Sequence, residues 1–335
     1  MEHTFPLLRL PENVIIEVIR NFAFIQLFEF SLVSTKSKDL VTSLGLKKSN
    51  VDIGVSNLLR VSVISGENYL RLTFYDEPKY QNELSPIDIT LPVAAYVRYE
   101  GVRIQSSTPL NFSNWFNHIK TVFCFTKPRN IRFSPGCERF DLQLLKDTIG
   151  NIHVLFLNRR LTDVVSRQLL TQFNTPKILF LCKNPFEEAC QTQQVLIQNF
   201  ETIEFDDVYT LDDMLLVNSE KVRFAHPTTQ NQFNRFLKHW IRGSNPRLQR
   251  MSLAIDNFDF VRGEINLNGI RRMEMSEEAK REIREKHSLP IHVDMIKIKR
   301  NDDIPAVIVT ETRESENIHF IVLGGNRREF LPTLY

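Results

Sequence analysis

Residues 178–205 read ILFLCKNPFEEACQTQQVLIQNFETIEF. An apolar run, Ile178-Leu179-Phe180, leads into a longer mixed segment from Phe186 to Phe200 and then into a second apolar run, Ile203-Glu204-Phe205. Short runs rich in β-branched and aromatic residues suit strands, and longer segments with apolar residues at three- and four-residue steps suit helices. The unit recurs on both sides, as Ile131-Arg132-Phe133, Val154-Leu155-Phe156, Val222-Arg223-Phe224 and Met251-Ser252-Leu253. The starts of the six runs are separated by 23, 24, 25, 19 and 29 residues. Helix-like runs fill the gaps: Phe140–Ile149, Leu161–Phe173, Phe186–Phe200, Leu211–Leu216 and Phe233–Ile241.

Strand and helix alternating at a period of about 20 to 29 residues describe a leucine-rich-repeat-like solenoid, in which each unit buries its apolar side only by stacking on its neighbours. The asparagine ladder of that repeat is missing except at Asn158, and Phe stands where Leu is usual. An open α/β sheet shares the alternation and is the alternative.

Outward from the repeat the texture changes on both sides. Residues 50–109 carry alternating β-rich segments, Leu59–Ile64, Tyr69–Tyr75, Ile87–Leu91 and Ala95–Ile104, separated by turn signals such as Ser65-Gly66-Glu67-Asn68 and Ser85-Pro86. They predict a small antiparallel sheet. After Ile255 the rhythm breaks into a charged helix, Ser276–His287, and three strand-like runs, Val293–Lys299, Ile304–Thr310 and Ile318–Leu323, with Asn301-Asp302-Asp303 and Ser315-Glu316-Asn317 as turns. A C-terminal β cap on the solenoid is the expectation.

At the N-terminus, Val14, Ile15, Val18, Ile19 and Phe22 recur at three- and four-residue steps behind Pro11 and Glu12, which suit the first turn of a helix. A second helix follows over Ile25–Val33, and a third carries Leu40, Val41 and Leu44 before Gly45. Four segments result: a helical module over 1–48, a β platform over 49–110, the repeat region over 111–258, and a C-terminal helix and β cap over 259–335. The fold class is α+β with an α/β repeat.

Composition narrows the function. Hydrophobic residues make 42% and charged residues 24% of 335, which excludes a disordered class. A net charge of +2 from 42 basic and 40 acidic residues gives no electrostatic case for nucleic acid. The basic cluster Lys297, Lys299 and Arg300 reads as one solvated strand edge. The richest apolar stretch, Phe22–Val33, is interrupted by Gln26 and Glu29 and is too short for a membrane span. Residues 1–13 show no cleavage pattern, so the expected location is cytoplasmic, nuclear or both. Cys124, Cys137, Cys182 and Cys190 form no CxxC pair and are expected to be reduced core thiols, with no metal.

No motif for chemistry emerges. Gly324-Gly325-Asn326 lacks the spacing of a phosphate loop, and HExxH and GxSxG are absent. Asp206-Asp207 and Asp212-Asp213 are paired carboxylates, but they fall at a strand exit and a helix start, where acidic side chains satisfy free N–H groups. Asn111-Phe112-Ser113 matches a glycosylation triplet and is set aside, since it needs a secreted context. No catalytic residue and no cofactor are expected; the chain reads as a non-enzyme.

The segment from Leu10-Pro11-Glu12-Asn13-Val14 through Ile19 and Leu27 to Leu32-Val33-Ser34 resembles the F-box family. Farther on, Phe233-Asn234-Arg235-Phe236-Leu237-Lys238-His239-Trp240 and Gly243-Ser244-Asn245-Pro246-Arg247-Leu248 resemble the type 2 F-box-associated domain of nematode F-box proteins. The resemblance implies docking on a Skp-type adaptor, and through it a cullin, with an unknown protein substrate held by the rest of the chain. The residues implied for the adaptor are Leu8, Leu10, Pro11, Ile15, Ile16, Ile19, Leu27, Phe30, Val33 and Ser34. Their surplus of apolar surface over what three short helices can bury asks for a partner. One departure stands out: Thr35, Lys36, Ser37 and Lys38 occupy the place where many F-boxes carry a tryptophan. A non-ligase interaction scaffold is the other function such a chain could serve.

Overall fold

The computed structural model describes residues 7–46, 50–80, 85–97, 103–104, 106, 108–125, 129–174, 176–256, 267–311 and 317–324. The chain divides into two compact units, Met1–Pro176 and Lys177–Tyr335. This boundary falls inside the stretch expected as one repeat region, 111–258.

The first unit opens with α1 (Glu12–Ile19), α2 (Phe24–Ser31) and α3 (Thr35–Ser43), followed by β1 (Asn50–Val55), β2 (Leu59–Ser65), β3 (Asn68–Phe74), β4 (Ala95–Val97) and β5 (Arg103–Ile104). Then come α4 (Phe112–Val122), β6 (Arg129–Phe133), α5 (Leu142–Ile149), β7 (Ile152–Leu157) and α6 (Asp163–Gln172). The strand order is β5-β4-β3-β2-β1-β6-β7. The first five strands are antiparallel neighbours, whereas β6 runs parallel to both β1 and β7. The platform therefore continues into the repeat through β1, a strand that its alternating pattern, Val51, Ile53 and Val55 buried, already carried.

One expectation on this unit is corrected. Ile87–Leu91 forms no strand: Ile87 makes a single bridge to Phe140, and Asp88 turns the chain by accepting from the N–H and hydroxyl of Thr90 at 2.9 and 2.6 Å. An Asx turn behind Pro86 competes with the ladder. Asn111 is a helix N-cap, its Oδ1 accepting from Asn114 N–H at 2.9 Å. It starts α4, whose Phe112, Trp115, Phe116, Ile119 and Val122 are all buried. Phe112 packs edge-on against Phe74 of β3 at 5.3 Å, and the Trp115 indole donates to Val93 O at 2.9 Å.

The second unit alternates β8 (Ile178–Leu181), α7 (Ala189–Leu196), β9 (Thr202–Phe205), α8 (Leu211–Leu216), β10 (Lys221–Thr228), α9 (Gln230–Ile241) and β11 (Arg250–Ile255). After these come α10 (Glu277–His287), β12 (Val293–Lys299), β13 (Pro305–Glu311) and β14 (Asn317–Val322). Strand order is β8-β9-β10-β11-β14-β13-β12, with β8 to β11 parallel in chain order and the last three strands antiparallel. Ser276 caps α10, and Asn301-Asp302-Asp303 lies between the paired strands β12 and β13. Ser315, Glu316, Gly325 and Asn326 lie outside the described residues.

All six apolar triplets are strands, but they do not present the same face. Ile203 and Phe205 register with Leu179 and Leu181 on one side and with Val222 and Phe224 on the other. Likewise Ile131 and Phe133 register with Leu155 and Leu157. The inward positions of β7 and β8 thus belong to leucines, and Phe156 and Phe180 sit half-buried on the opposite face. A one-residue offset in a period of two reverses every side chain. Asn158 is no ladder residue either: its side chain accepts from Arg160 N–H at 2.9 Å in the turn after β7.

α9 covers one face of this sheet through Phe233, Phe236, Leu237 and Trp240, each fully buried, with Trp240 edge-on to Phe320 at 4.9 Å. α10 covers the other face of the antiparallel strands, where Ile283 meets Val307, Val309 and Ile321. The mixed α/β class is as expected.

Candidate functional site

The N-terminal helices form the first candidate surface. Pro11 precedes α1 as its N-cap residue, with φ −54° and ψ 143°, and Glu12 sits in the positive first turn. Ile15 and Ile19 turn inward and are fully buried, as is Phe28 of α2, with Leu27 at 3% exposure. α2 packs against α4. Phe28 lies 6.2 Å from the rings of both Trp115 and Phe123, and Phe24 lies 5.2 Å from Phe123. Ser31 donates to Phe28 O at 2.6 Å and shares a 2.7 Å hydrogen bond with His118 Nε2. Burial, with the nearby Lys38 ammonium adding to it, pulls the His118 pKa down to about 4, so the ring is neutral near pH 7.

The surplus apolar surface expected of this module is therefore smaller and differently placed. Ile15, Ile19 and Leu27 are buried in the chain's own core, and α4 adds cover for Phe24 and Phe28 of α2. Leu8, Leu10, Ile16 and Phe30 are half-buried, and Pro11 is exposed. Val33 is 63% exposed, while Ser34 caps α3 by accepting from Ser37 N–H at 3.1 Å. Val14 and Val18, outside the expected set, are 39% and 38% exposed. With Pro11 they lie at i, i+3 and i+7, one stripe of α1 facing away from the core.

The second candidate is the segment around α9. The 233–240 run supplies the inward stripe already described, and the turn after it clamps α8. Asn245, buried and at φ 50°, directs its amide Nδ2 to Met214 O at 3.0 Å, Leu215 O at 3.2 Å and Val217 O at 2.9 Å. These are carbonyls left over at the end of α8. Arg247 donates to Asn199 Oδ1 and Asn218 O and lies 3.6 Å from Glu220, while Leu248 is buried. The motif is a structural staple. Asn245→Ala is expected to cost about 3 kcal/mol, from lost hydrogen bonds and from the left-handed backbone that alanine resists. Asn245→Gly keeps the backbone and isolates the hydrogen-bond part; urea denaturation of the three proteins measures both.

The residues considered for other chemistry have structural partners. Asp213 closes a capping box with Thr210, and Asp207 accepts from Asn184 and Val208 N–H groups at 2.9 and 2.8 Å. Lys299 pairs with Asp303 at 2.7 Å, and Arg300 is held by both oxygens of Asp302 while lying 5.6 Å from the Trp240 ring. The four cysteines are free thiols. Only Cys137 is buried, which pushes its thiol up to about 12; Cys190 is exposed.

Comparison with known families accounts for both surfaces. The F-box domain family matches residues 7–49, which are α1 to α3 with their flanks, and the F-box associated family matches residues 191–253, from α7 to β11. The chain carries an F-box and a type 2 F-box associated domain. It is also similar to the F-box associated domain-containing protein sdz-33 of Caenorhabditis elegans, 22% identical over 249 residues, covering 73% of this chain and 77% of that protein. No solved structure matches. Within the F-box, Pro11, Val14, Val18 and Val33 are apolar residues turned outward; within the associated domain, Asn245 and the α9 stripe hold the fold.

Proposed function

We propose that this chain is the substrate-receptor subunit of a Skp–cullin–F-box ubiquitin ligase, with the F-box docking on a Skp-type adaptor and the remaining strand–helix repeats recruiting a target protein. The observation that carries the reading is the Pro11, Val14 and Val18 stripe, which stays exposed on α1 within the matched F-box after Ile15 and Ile19 have gone into the core. An exposed apolar stripe on a rigid helix is suited to an obligate protein partner. The chain makes no bond in this scheme; it holds the target close to the ubiquitin-loaded enzyme, so that its contribution is proximity. No cofactor, nucleic acid or membrane enters the reading, and the cytoplasm and nucleus are where it places the complex.

The test is co-purification with a Skp-type adaptor. The wild-type chain should be retained, and the double substitution Val14→Asp with Val18→Asp should weaken binding about 100-fold, since two valines buried at an interface are worth about 3 kcal/mol together. Its circular dichroism and urea midpoint should match the wild type, because both side chains are solvent-facing. Failure of the wild-type chain to bind at micromolar concentration would leave the non-ligase scaffold as the function.

A further inference from the structure

We infer that the outer face of α9, together with residues 267–272 beside it, is a binding surface for a carboxylate-rich segment of a protein partner. Five cations meet here: Arg235 and Lys238 on α9, Arg242 at its C-cap, and Arg271 and Arg272 farther along the chain. The first three fall at i, i+3 and i+7, one stripe on the side of the helix away from the buried Phe233, Phe236, Leu237 and Trp240. Two contacts bring the other pair alongside. Asn234 Nδ2 donates to Asn268 O at 3.5 Å, and a Cβ added to Gly269 would meet the Lys238 ammonium at 3.6 Å. Leu267 and Ile270 are buried in that turn, with Ile270 N–H donating to Leu267 O at 3.1 Å. Arg235, Arg242, Arg271 and Arg272 are exposed, and Lys238 is half-buried.

Two features set these cations apart from the other charges of the same unit. The first is that none of the five makes an ion pair among the described residues, whereas Arg223 holds Glu204, Lys299 holds Asp303 and Arg300 holds Asp302. Asn301 N–H donates to Ile241 O at 2.9 Å, which brings the last two of those carboxylates to the end of α9 already engaged. The next acid along the second segment, Glu274, lies beyond Met273, whose N–H donates to Lys297 O on the edge of β12. The second feature is composition. α9 has no acidic residue, while the equally exposed α10 sets Glu277, Glu278, Glu282 and Glu285 among its cations. The negative C-terminal end of α9 accounts for Lys238 and Arg242, which lie in or next to its last turn. It does not account for Arg235 in mid-helix, nor for Arg271 and Arg272 on another segment.

Charge complementarity calls for an anionic partner, and an acidic peptide fits better than a nucleic acid. Four of the five cations are arginines, whose planar fork receives a carboxylate through two parallel hydrogen bonds. The stripe from Arg235 to Arg242 is about 10 Å long, and alternate side chains of an extended peptide recur about every 7 Å, so two acidic residues can face it at once. The aromatic rings of α9, which could otherwise stack on bases, are all turned into the core. A net charge of +2 also gives a long polyphosphate little beyond the patch itself. As a statement about a ligase target this inference rests on the receptor reading. The binding assay contains no adaptor, so the two fail separately.

The experiment is fluorescence anisotropy of the full chain with a labelled peptide of alternating glutamate and serine, against a lysine–serine peptide, a phosphoserine–glycine peptide and an oligouridylate. The acidic peptide should bind, and its affinity should fall as salt is raised. Arg235→Glu with Arg271→Glu, one change on each segment, should weaken binding about tenfold or more, as loss of charge-assisted pairs does. Arg235→Gln with Arg271→Gln should fall between that variant and the wild type. Both positions are exposed, so circular dichroism should be unchanged. Arg281→Glu with Lys286→Glu alters the net charge equally on α10, which covers the other face of the sheet, and should change binding little. Absence of acidic-peptide binding, binding only to the phosphopeptide or the oligouridylate, or a loss on α10 as large as the loss on α9 would overturn the proposal.

Discussion

Ile15→Asp is expected to unfold the N-terminal helices rather than merely detach an adaptor. Ile15 has no exposed surface, and Ile19, one turn on, has none either. An aspartate there forfeits the transfer free energy of a buried isoleucine and takes a carboxylate out of water with no cation in place to receive it. The combined cost is about 4–5 kcal/mol, close to the whole stability of many domains. The neighbouring Val14→Asp, on the outward side of the same helix, should move stability by about 0.5 kcal/mol or less. Urea denaturation of the two single variants, with limited proteolysis to locate the loosened segment, makes the comparison. If Ile15→Asp retained the wild-type midpoint and lost only adaptor binding, Ile15 would be an interface residue and its burial in the chain's own core would be wrong.

The contrast between Ile15 and Val14 shows how far the chain could be read without coordinates. Three- and four-residue spacing put Val14, Ile15, Val18, Ile19 and Phe22 on one broad stripe and correctly made a helix of it. Spacing says which residues lie near one another around the axis, not which part of a wide stripe is covered. For Phe24 and Phe28 of the next helix the cover is α4, some eighty residues farther along, and no local pattern announces that pairing. α4 itself was legible in principle: Asn111 followed by Phe112, Trp115, Phe116 and Ile119 is an N-cap ahead of an i, i+3, i+4, i+7 stripe.

The strand repeat was legible for a different reason and failed in a different way. Each apolar triplet needs only a strand's length of sequence, so all six were found. Their facing depends on register against neighbours, and Phe156 and Phe180 landed on the far face because Leu157 and Leu181, one residue on, fit the inward row. In each acidic pair one member accepts from backbone N–H groups, Asp207 and Asp213, a local chemistry that a few residues of sequence make legible.

The same dependence on distant segments governs the second large effect, at Arg139. This arginine is 6% exposed and sits in the loop between β6 and α5. Its guanidinium donates to three backbone carbonyls, Ser85 O at 3.0 Å, Asn57 O at 3.2 Å and Tyr80 O at 2.9 Å, which tie together the β1–β2 turn, the segment after β3 and the approach to α5. The loop is locked from its other side as well. Gly136, at φ 91°, presses so close to the Asn57 backbone that any Cβ would meet its nitrogen at 2.7 Å, and Ser134 N–H donates to Val55 O at 2.8 Å. Arg139→Leu would leave three carbonyls facing an apolar side chain. Replacing a buried ion pair by hydrophobic residues is often neutral, but here only the donor is removed and the acceptors stay. The expected loss is about 4 kcal/mol, from several charge-assisted hydrogen bonds that each contribute about 1.5–3 kcal/mol before relaxation. Arg139→Lys keeps the charge yet lacks the planar fork that reaches divergent acceptors, so it should recover less than half of that loss. Urea midpoints for the three proteins decide the matter, and a lysine variant as stable as the wild type would show that charge alone, not the three-way fork, holds the loop.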